Sequence, residues 1–493
     1  MDPDHLPDRD LLDPDFTDLL ERPALLARGA TIDDVAPPEA SMATLARLVI
    51  QAGDTLPAQR PRDLIETLIA EIDRAMSGQM NAILHHADFQ GLEAAWRGLW
   101  RLARVADGES EVKLKFFSIS KRELFRTLRK FRGNAWDQSP VFKKVYEEEY
   151  GQFGGQPYGL LVGDYYFDHR PDDVALLSDI ARIAAAAHAP FVAGAEPGLL
   201  QMETWAEVVN PRDLPRILRT PEYVAWQALR DQEDARYIGL CMPRYLARLP
   251  YGPNTNPLDA FSFDEETEGG GLERLLWSNA AYAFASNVVR AFVEYGWSVR
   301  IRGVDRGGVV DDLPVLRHPT ADGDTDRRTV TEICLSERRE AELSSCGLIP
   351  LVHRKNTDLA AFLSAQSLQK PRAYDDPAAS INATLSTRLP YMFACCRFAH
   401  YLKCMVRDKI GSMMGRTELE AWLSDWLLNY VDGSPSTSSD EFKARHPLAD
   451  YEVSLTDRED QPGMYEARFM IQPHYQLEGI SVALRLLSHV PTQ

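Results

Sequence analysis

The densest set of groups able to move protons is Gly163-Asp164-Tyr165-Tyr166-Phe167-Asp168-His169. It follows a short apolar run, Tyr158–Gly163, that reads as a strand. In α/β folds, carboxylates and imidazoles at strand C-termini are where acid–base catalysis sits. Asp164, Asp168 and His169 are therefore the candidate catalytic set of a soluble α/β enzyme. The same residues also read as a turn in which Asp172 or Asp173 caps the next helix, a common use of loop carboxylates. The turn is the preferred reading.

Other chemistry-bearing residues are sparse. Gly151-Gln152-Phe153-Gly154-Gly155 precedes a strand, whereas a phosphate cradle needs glycines between a strand and a helix N-terminus. Gly269-Gly270-Gly271 follows acidic Asp264–Glu268 and reads as a loop. His85-His86 has no ligand set around it beyond Asp88, so it reads as a helix–helix turn. The six cysteines, Cys241, Cys334, Cys346, Cys395, Cys396 and Cys404, form no Cys-x-x-Cys pair. They read as small buried apolar residues rather than a metal or disulfide framework. Neither cofactor nor metal is expected.

The elements that would position these residues follow from periodicity. In Arg62–Leu84, Leu64, Leu68, Ile72, Met76, Met80 and Leu84 recur every four residues, predicting an amphipathic helix. Asp88 is expected to cap a second helix with an apolar side of Phe89, Leu92, Trp96, Leu99 and Ala103. Together they read as an αα-hairpin with one face for a partner. Val112–Phe116, Pro190–Gly194, Tyr237–Met242, Trp297–Arg302, Arg328–Leu335 and Leu348–His353 read as strands. Helices are expected at Asp172–His188, Leu272–Tyr295, Glu337–Ser345 and through 385–431, with strands at Tyr451–Leu455, Met464–Gln472 and Gly479–Leu487. The result is a mixed α/β (α+β) fold.

The predicted organisation is an acidic, Pro-rich segment (1–60), the helical hairpin (61–106), an α/β body (107–432), a polar loop (433–450) and a C-terminal β segment (451–493). The chain has 493 residues, 54 Lys+Arg against 73 Asp+Glu, and a net charge of −19. That charge argues against nucleic acid or an anionic membrane surface as the main partner. The acidic N-terminus lacks a secretory signal, and no run is long enough to span a bilayer, so a cytosolic protein is expected.

Longer strings carry a resemblance. Gln79–Leu99 (QMNAILHHADFQGLEAAWRGL), Gly159–Asp173 (GLLVGDYYFDHRPDD), Pro243–Pro253 (PRYLARLPYGP), Asn279–Trp297 (NAAYAFASNVVRAFVEYGW) and Thr331–Leu343 (TEICLSERREAEL) appear in order. Pro350–Asn356 (PLVHRKN), Ala365–Pro371 (AQSLQKP), Leu389–Ser412 (LPYMFACCRFAHYLKCMVRDKIGS) and Gln472–Leu487 (QPHYQLEGISVALRLL) follow. With them the chain resembles the large subunit of the type VI secretion contractile sheath, the TssC (VipB) family. The resemblance implies a structural protein in a bacterial cytoplasmic sheath attached to a membrane-anchored baseplate. It implies a small sheath subunit (TssB/VipA-like), neighbouring protomers, the Hcp inner tube and the baseplate as partners. A sheath of a related phage-tail-like injection particle is the alternative.

The resemblance also assigns roles to residues. Leu68, Ile72, Met76, Leu92, Trp96 and Leu99 would meet the small subunit. Glu337, Arg338, Arg339, Glu340 and Glu342 would face the inner tube. Ile480, Val482, Leu484 and Leu486 would pair with strands of neighbouring protomers. The family's N-terminal helix, recognised by the ATPase ClpV, has only Asp15–Arg28 as a counterpart, interrupted by Pro23. ClpV therefore stays open as a partner.

Overall fold

A computed structural model describes residues 61–106, 112–210, 213–258, 261–267, 271–319, 325–327, 330–409, 414–457 and 465–474. The segment 1–60, with Asp15–Arg28, and the strand at Gly479–Leu487 lie outside the described residues. Within them the chain divides into two compact units: 61–93 with Leu249–Leu276, and Ala94–Arg248 with 277–474.

The first unit holds helix α1 (Pro61–Leu84) and the first turns of α2 (Ala87–Val105). Leu84, Phe263, Leu275 and Leu276 are its buried apolar residues. The N–H of Glu266 donates to Asn81 Oδ1 at 3.0 Å. His85 Nε2 lies 3.4 Å from Glu265 Oε1. The predicted cap is displaced by two residues. The Asp88 N–H donates to His86 Nδ1 at 3.3 Å, so the imidazole of His86 serves the helix start. The His pair is thus explained by turn formation, as expected.

In the second unit, α3 (Lys121–Arg129) leads to strand β1 (Leu161–Phe167), α4 (Pro171–Ala187), β2 (Phe191–Ala195), α5 (Val224–Arg230) and β3 (Ile238–Met242). After β4 (Tyr245–Leu246) and β5 (Trp277–Ser278) come α6 (Ala280–Tyr295), β6 (Val309–Val310), α7 (Glu337–Ser345), β7 (Ile349–His353) and β8 (Ala360–Phe362). One sheet has the order β1-β2-β3-β7-β8-β6. The pairs from β1 to β7 are parallel, and β7-β8-β6 are antiparallel.

Both sheet faces are covered, which is why β2 and β3 read as unbroken apolar runs rather than alternating ones. Phe191, Ala193, Ile238, Leu240 and Met242 pack with Leu176, Leu177 and Ile180 of α4 and Trp226 of α5. Val192, Cys241, Ile349 and Leu351 pack on the other side with Ala281, Phe284 and Val288 of α6.

The C-terminal part adds α8 (Pro377–Ser386), α9 (Leu389–Asp408), α10 (Arg416–Leu428) and the antiparallel pair β9 (Leu448–Asp457) and β10 (Tyr465–Pro473). Trp297 stacks on Phe398 at 4.3 Å, and Tyr430 meets the Trp297 ring edge-on at 5.2 Å. Leu423, Leu427, Leu448 and Val453 complete this core.

Three strand expectations are corrected. Residues 112–116 form no strand, and among the described residues no strand pairs with them, so the alternation has no ladder to enter. Trp297–Arg302 is irregular; its apolar residues plug cores, Trp297 against Phe398 and Ile301 beneath α6. Arg328–Leu335 contributes only an isolated bridge at Thr331 to Tyr245, and 328–329 lie outside the described residues. The helix expected from Leu272 starts at Ala280, because Asn279 Oδ1 accepts the Ala281 N–H and Trp277–Ser278 pair with β4.

Candidate assembly interface

The predicted catalytic set is not assembled as one. Asp168 is buried, accepts the Arg170 N–H at 2.7 Å and pairs with the Arg170 guanidinium at 2.8 Å. The Asp173 carboxylate accepts the Asp168 N–H at 2.9 Å and the Lys121 ammonium at 2.8 Å. The ring of His169 stacks on Tyr223 at 4.4 Å. Asp164 instead meets Asn279 and Tyr282, and loss of water around it raises its carboxyl above the ordinary range. Each group has a structural partner, but the expected turn is corrected: β1 runs on to Phe167 and contains Asp164, and neither Asp172 nor Asp173 caps α4, whose N-cap is Arg170 with no side-chain acceptor. Among the described residues no group of His, Cys, Asp and Glu could hold a metal, and no helix is long and apolar enough to cross a membrane.

Helix α2 is the more informative element. At 100° per residue, Gly98 and Leu102 lie on one side of it, and Phe89, Leu92, Trp96 and Trp100 on the opposite side. The Gly98 and Leu102 side is the seated one. Leu102 packs with Tyr282 and Ala285 of α6. A Cβ on Gly98 would lie 2.3 Å from the Tyr282 ring, so only glycine permits this approach. Arg101 donates to the Asp311 carbonyl at 2.6 Å and Arg104 to the Asp312 carboxylate at 2.9 Å, pinning the last turn.

The side with the larger apolar groups is therefore turned outward. Leu92, Trp96 and Trp100 are 57, 58 and 60% exposed. Trp96 stacks with Phe116 at 6.1 Å, and Arg104 covers the Trp100 ring at 4.9 Å. Phe116 and Phe117 are exposed as well. On α1, Ile69, Ile72, Met76 and Ile83 are exposed and fall on one helical face. Exposed apolar helix faces of this kind are common at protein contacts. Of the predicted contact residues, Ile72, Met76, Leu92 and Trp96 are exposed and Leu99 is half-buried. Leu68 lies in α1, but its side chain is outside the described residues.

Helix α7 is capped by Ser336, whose Oγ accepts the Arg339 N–H. Glu337 and Arg338 are exposed. Arg338 pairs with Glu342 at 3.1 Å, and Arg339 pairs with the same carboxylate. Glu340 departs from the predicted strip. It is buried, accepts the Ser364 hydroxyl, and its carboxyl is raised by burial. Leu343 on the same side is seated in the core, and this draws Glu340 inward. Ile480, Val482, Leu484 and Leu486 lie outside the described residues.

One arrangement was not legible in the sequence. His188, His400, Tyr150 and Lys403 converge where α4 and α9 meet a π-helical turn, Lys143–Gly151. His400 Nε2 donates to the Ala187 carbonyl at 2.9 Å, and its buried Nδ1 has no partner. These residues are up to 253 positions apart, and no local pattern links them.

Comparison with known proteins gives the family of the chain. Residues 66–369 match the family model described as VipB: EvpB/VC_A0108, tail sheath N-terminal domain. Residues 378–490 match its companion, the tail sheath gpW/gp25-like domain. The chain is 56% identical over 428 residues to the "Type VI secretion system sheath protein TssC1" of Pseudomonas aeruginosa strain PAO1, covering 87% of this chain and 86% of that protein. Among solved structures, a chain of the anti-feeding prophage baseplate aligns with a TM-score of 0.37 and 11% identity, over 77% of this chain and 84% of that one. A chain of the contracted sheath of that particle aligns at 0.28 and 12%, over 64% and 68%. The extent and identity of the sequence matches place this chain in the VipB family of type VI secretion tail-sheath proteins.

Proposed function

We propose that this chain is the non-catalytic large subunit of a cytoplasmic contractile sheath, and that it binds the small sheath subunit through the outward faces of α1 and α2. The observation that carries this reading is the inversion of α2. Gly98 and Leu102 are spent on the chain's own core and its aromatic residues are left outside. Neighbouring protomers would be joined by the C-terminal strands, the sheath would enclose the Hcp tube, and its end would rest on the baseplate. Contraction would then be a rearrangement of subunit contacts between two lattices.

Ile72→Asp and Trp96→Asp are expected to abolish co-purification with the co-expressed small subunit. Buried aromatic anchors contribute about 2 kcal/mol or more, roughly thirty-fold in affinity. An intact complex in both variants would remove this face from the interface.

The exposed end of α7 is proposed to meet the tube. Mixed charges at a rim give contacts that are individually weak and can be exchanged as the sheath expands. Reversing Glu337 and Arg338 together should reduce the fraction of tube-filled sheaths seen by negative-stain microscopy. Sheaths filled as in the parent would exclude these two residues.

A further inference from the structure

Cys334 stands apart from the other cysteines. Cys241, Cys346 and Cys396 are buried, Cys395 and Cys404 are half-buried, and Cys334 is exposed. The expectation that all six are inert apolar filler fails here, because Cys334 alternates with Ile333 and Leu335, and those two take the core positions. Its Sγ lies 3.9 Å from Nδ1 of His353, the last residue of β7. His353 is 7% exposed. Its Nε2 lies 2.9 Å from the Thr357 carbonyl oxygen. A carbonyl can only accept, so Nε2 carries the proton and Nδ1 presents its lone pair to the thiol. A nucleophile, a base in reach of it and a third group fixing the tautomer of the base form the arrangement that activates a weak nucleophile.

We propose that Cys334 is a thiol-modification site, with His353 as its base, for small-molecule disulfides of the glutathione class. Cys334 passes its proton to His353 Nδ1 as Sγ attacks one sulfur of the small disulfide. The Cys334–S bond forms, the S–S bond of the reagent breaks, and its electron pair leaves with the second sulfur as a thiolate. That thiolate takes the proton back from His353 and departs as a thiol. Cys334 is oxidised to a mixed disulfide, the reagent is reduced by the same amount, and a free thiol reverses the exchange. Partial burial pushes the Cys334 thiol up and the Lys355 ammonium opposes this, so a neighbouring base is what makes attack effective at neutral pH.

The test uses the full-length chain, reduced, desalted and exposed to oxidised glutathione, with adducts located by peptide mass mapping. One adduct per chain at Cys334 is expected, absent in Cys334→Ser and removed by dithiothreitol. His353→Gln should slow the reaction at pH 7 by about a hundred-fold, the lower end of what base assistance supplies. The pH profile provides a second readout that needs no His353 variant. With a base in place, the parent rate should change little between pH 7 and 9. A lone thiol would climb by about ten-fold per unit as thiolate accumulates. Labelling spread over Cys395 and Cys404, no adduct at Cys334, or a ten-fold-per-unit climb in the parent would each overturn the proposal.

Discussion

Between pH 7 and pH 5 the folded chain should lose about 2 kcal/mol of stability through His400 alone. Burial holds this imidazole down to about 4, helped by the nearby charges of Arg397, His188 and Lys403 and opposed by the bond to Ala187. Its unfolded value is about 6.5. The folded value is the lower one, so the unfolded chain binds more protons in this window, and stability falls as pH drops from about 6.5 towards 4. The structural cause is plain: a proton on Nδ1 would be a buried donor with no acceptor, close to the Lys403 ammonium. Lys403 lies 3.6 Å above the Tyr150 ring and donates to the Tyr146 hydroxyl at 2.7 Å, so it is held in place. Burial lowers His188 in the same direction. Urea midpoints at the two pH values measure the effect. His400→Gln keeps a donor for Ala187 and should flatten the slope, even if it lowers stability at pH 7. A parent chain equally stable at both values would show that the imidazole is not held neutral.

Gly98→Ala is expected to destabilise the chain by about 1–3 kcal/mol, the usual cost of overpacking. The sign is what makes the test sharp. In an exposed helix interior the same change stabilises by about 1 kcal/mol, because alanine is the best helix former and glycine among the worst. Here the added methyl would sit 2.3 Å from the Tyr282 ring. That ring is buried against Leu102 and Ala285, and its hydroxyl bonds Asp164, so it has little room to yield. Gly98→Leu should unseat the helix and weaken capture of the small subunit as well. A rise in denaturation midpoint for Gly98→Ala would mean that α2 is not seated on Tyr282.

Much of the sheet was readable because its strands obey local rules. Phe191–Ala195 and Ile238–Met242 are short apolar runs between turn residues, and burial on both faces imposes that pattern. Helix α7 announced itself through its charged repeat. What failed were inferences needing a neighbour. Alternation at 112–116 and 297–302 is real, but among the described residues no strand lies alongside. The apolar stripe of α2 was visible, yet its direction was not, because the anchoring contact is a glycine, which adds nothing to a hydrophobic count. Glu340 looked like its charged neighbours until packing turned it inward beside Leu343. The Cys334–His353 pair spans 19 residues and two elements, so spacing could not propose it.

Strands β9 and β10 form a sheet of only two strands. Its inner side is buried through Val453 and Leu455, and Met470 is 63% exposed. Each strand therefore has one side without a neighbouring strand among the described residues. Such edges recruit whatever extended chain arrives first, whether or not it is the correct one. If strands of neighbouring protomers complete this sheet, as proposed above, a cell making this chain in excess of them would be expected to accumulate open templates. Synthesis of the subunits in matched amounts, close together in time, would then be as much a condition of a functional sheath as the fold itself.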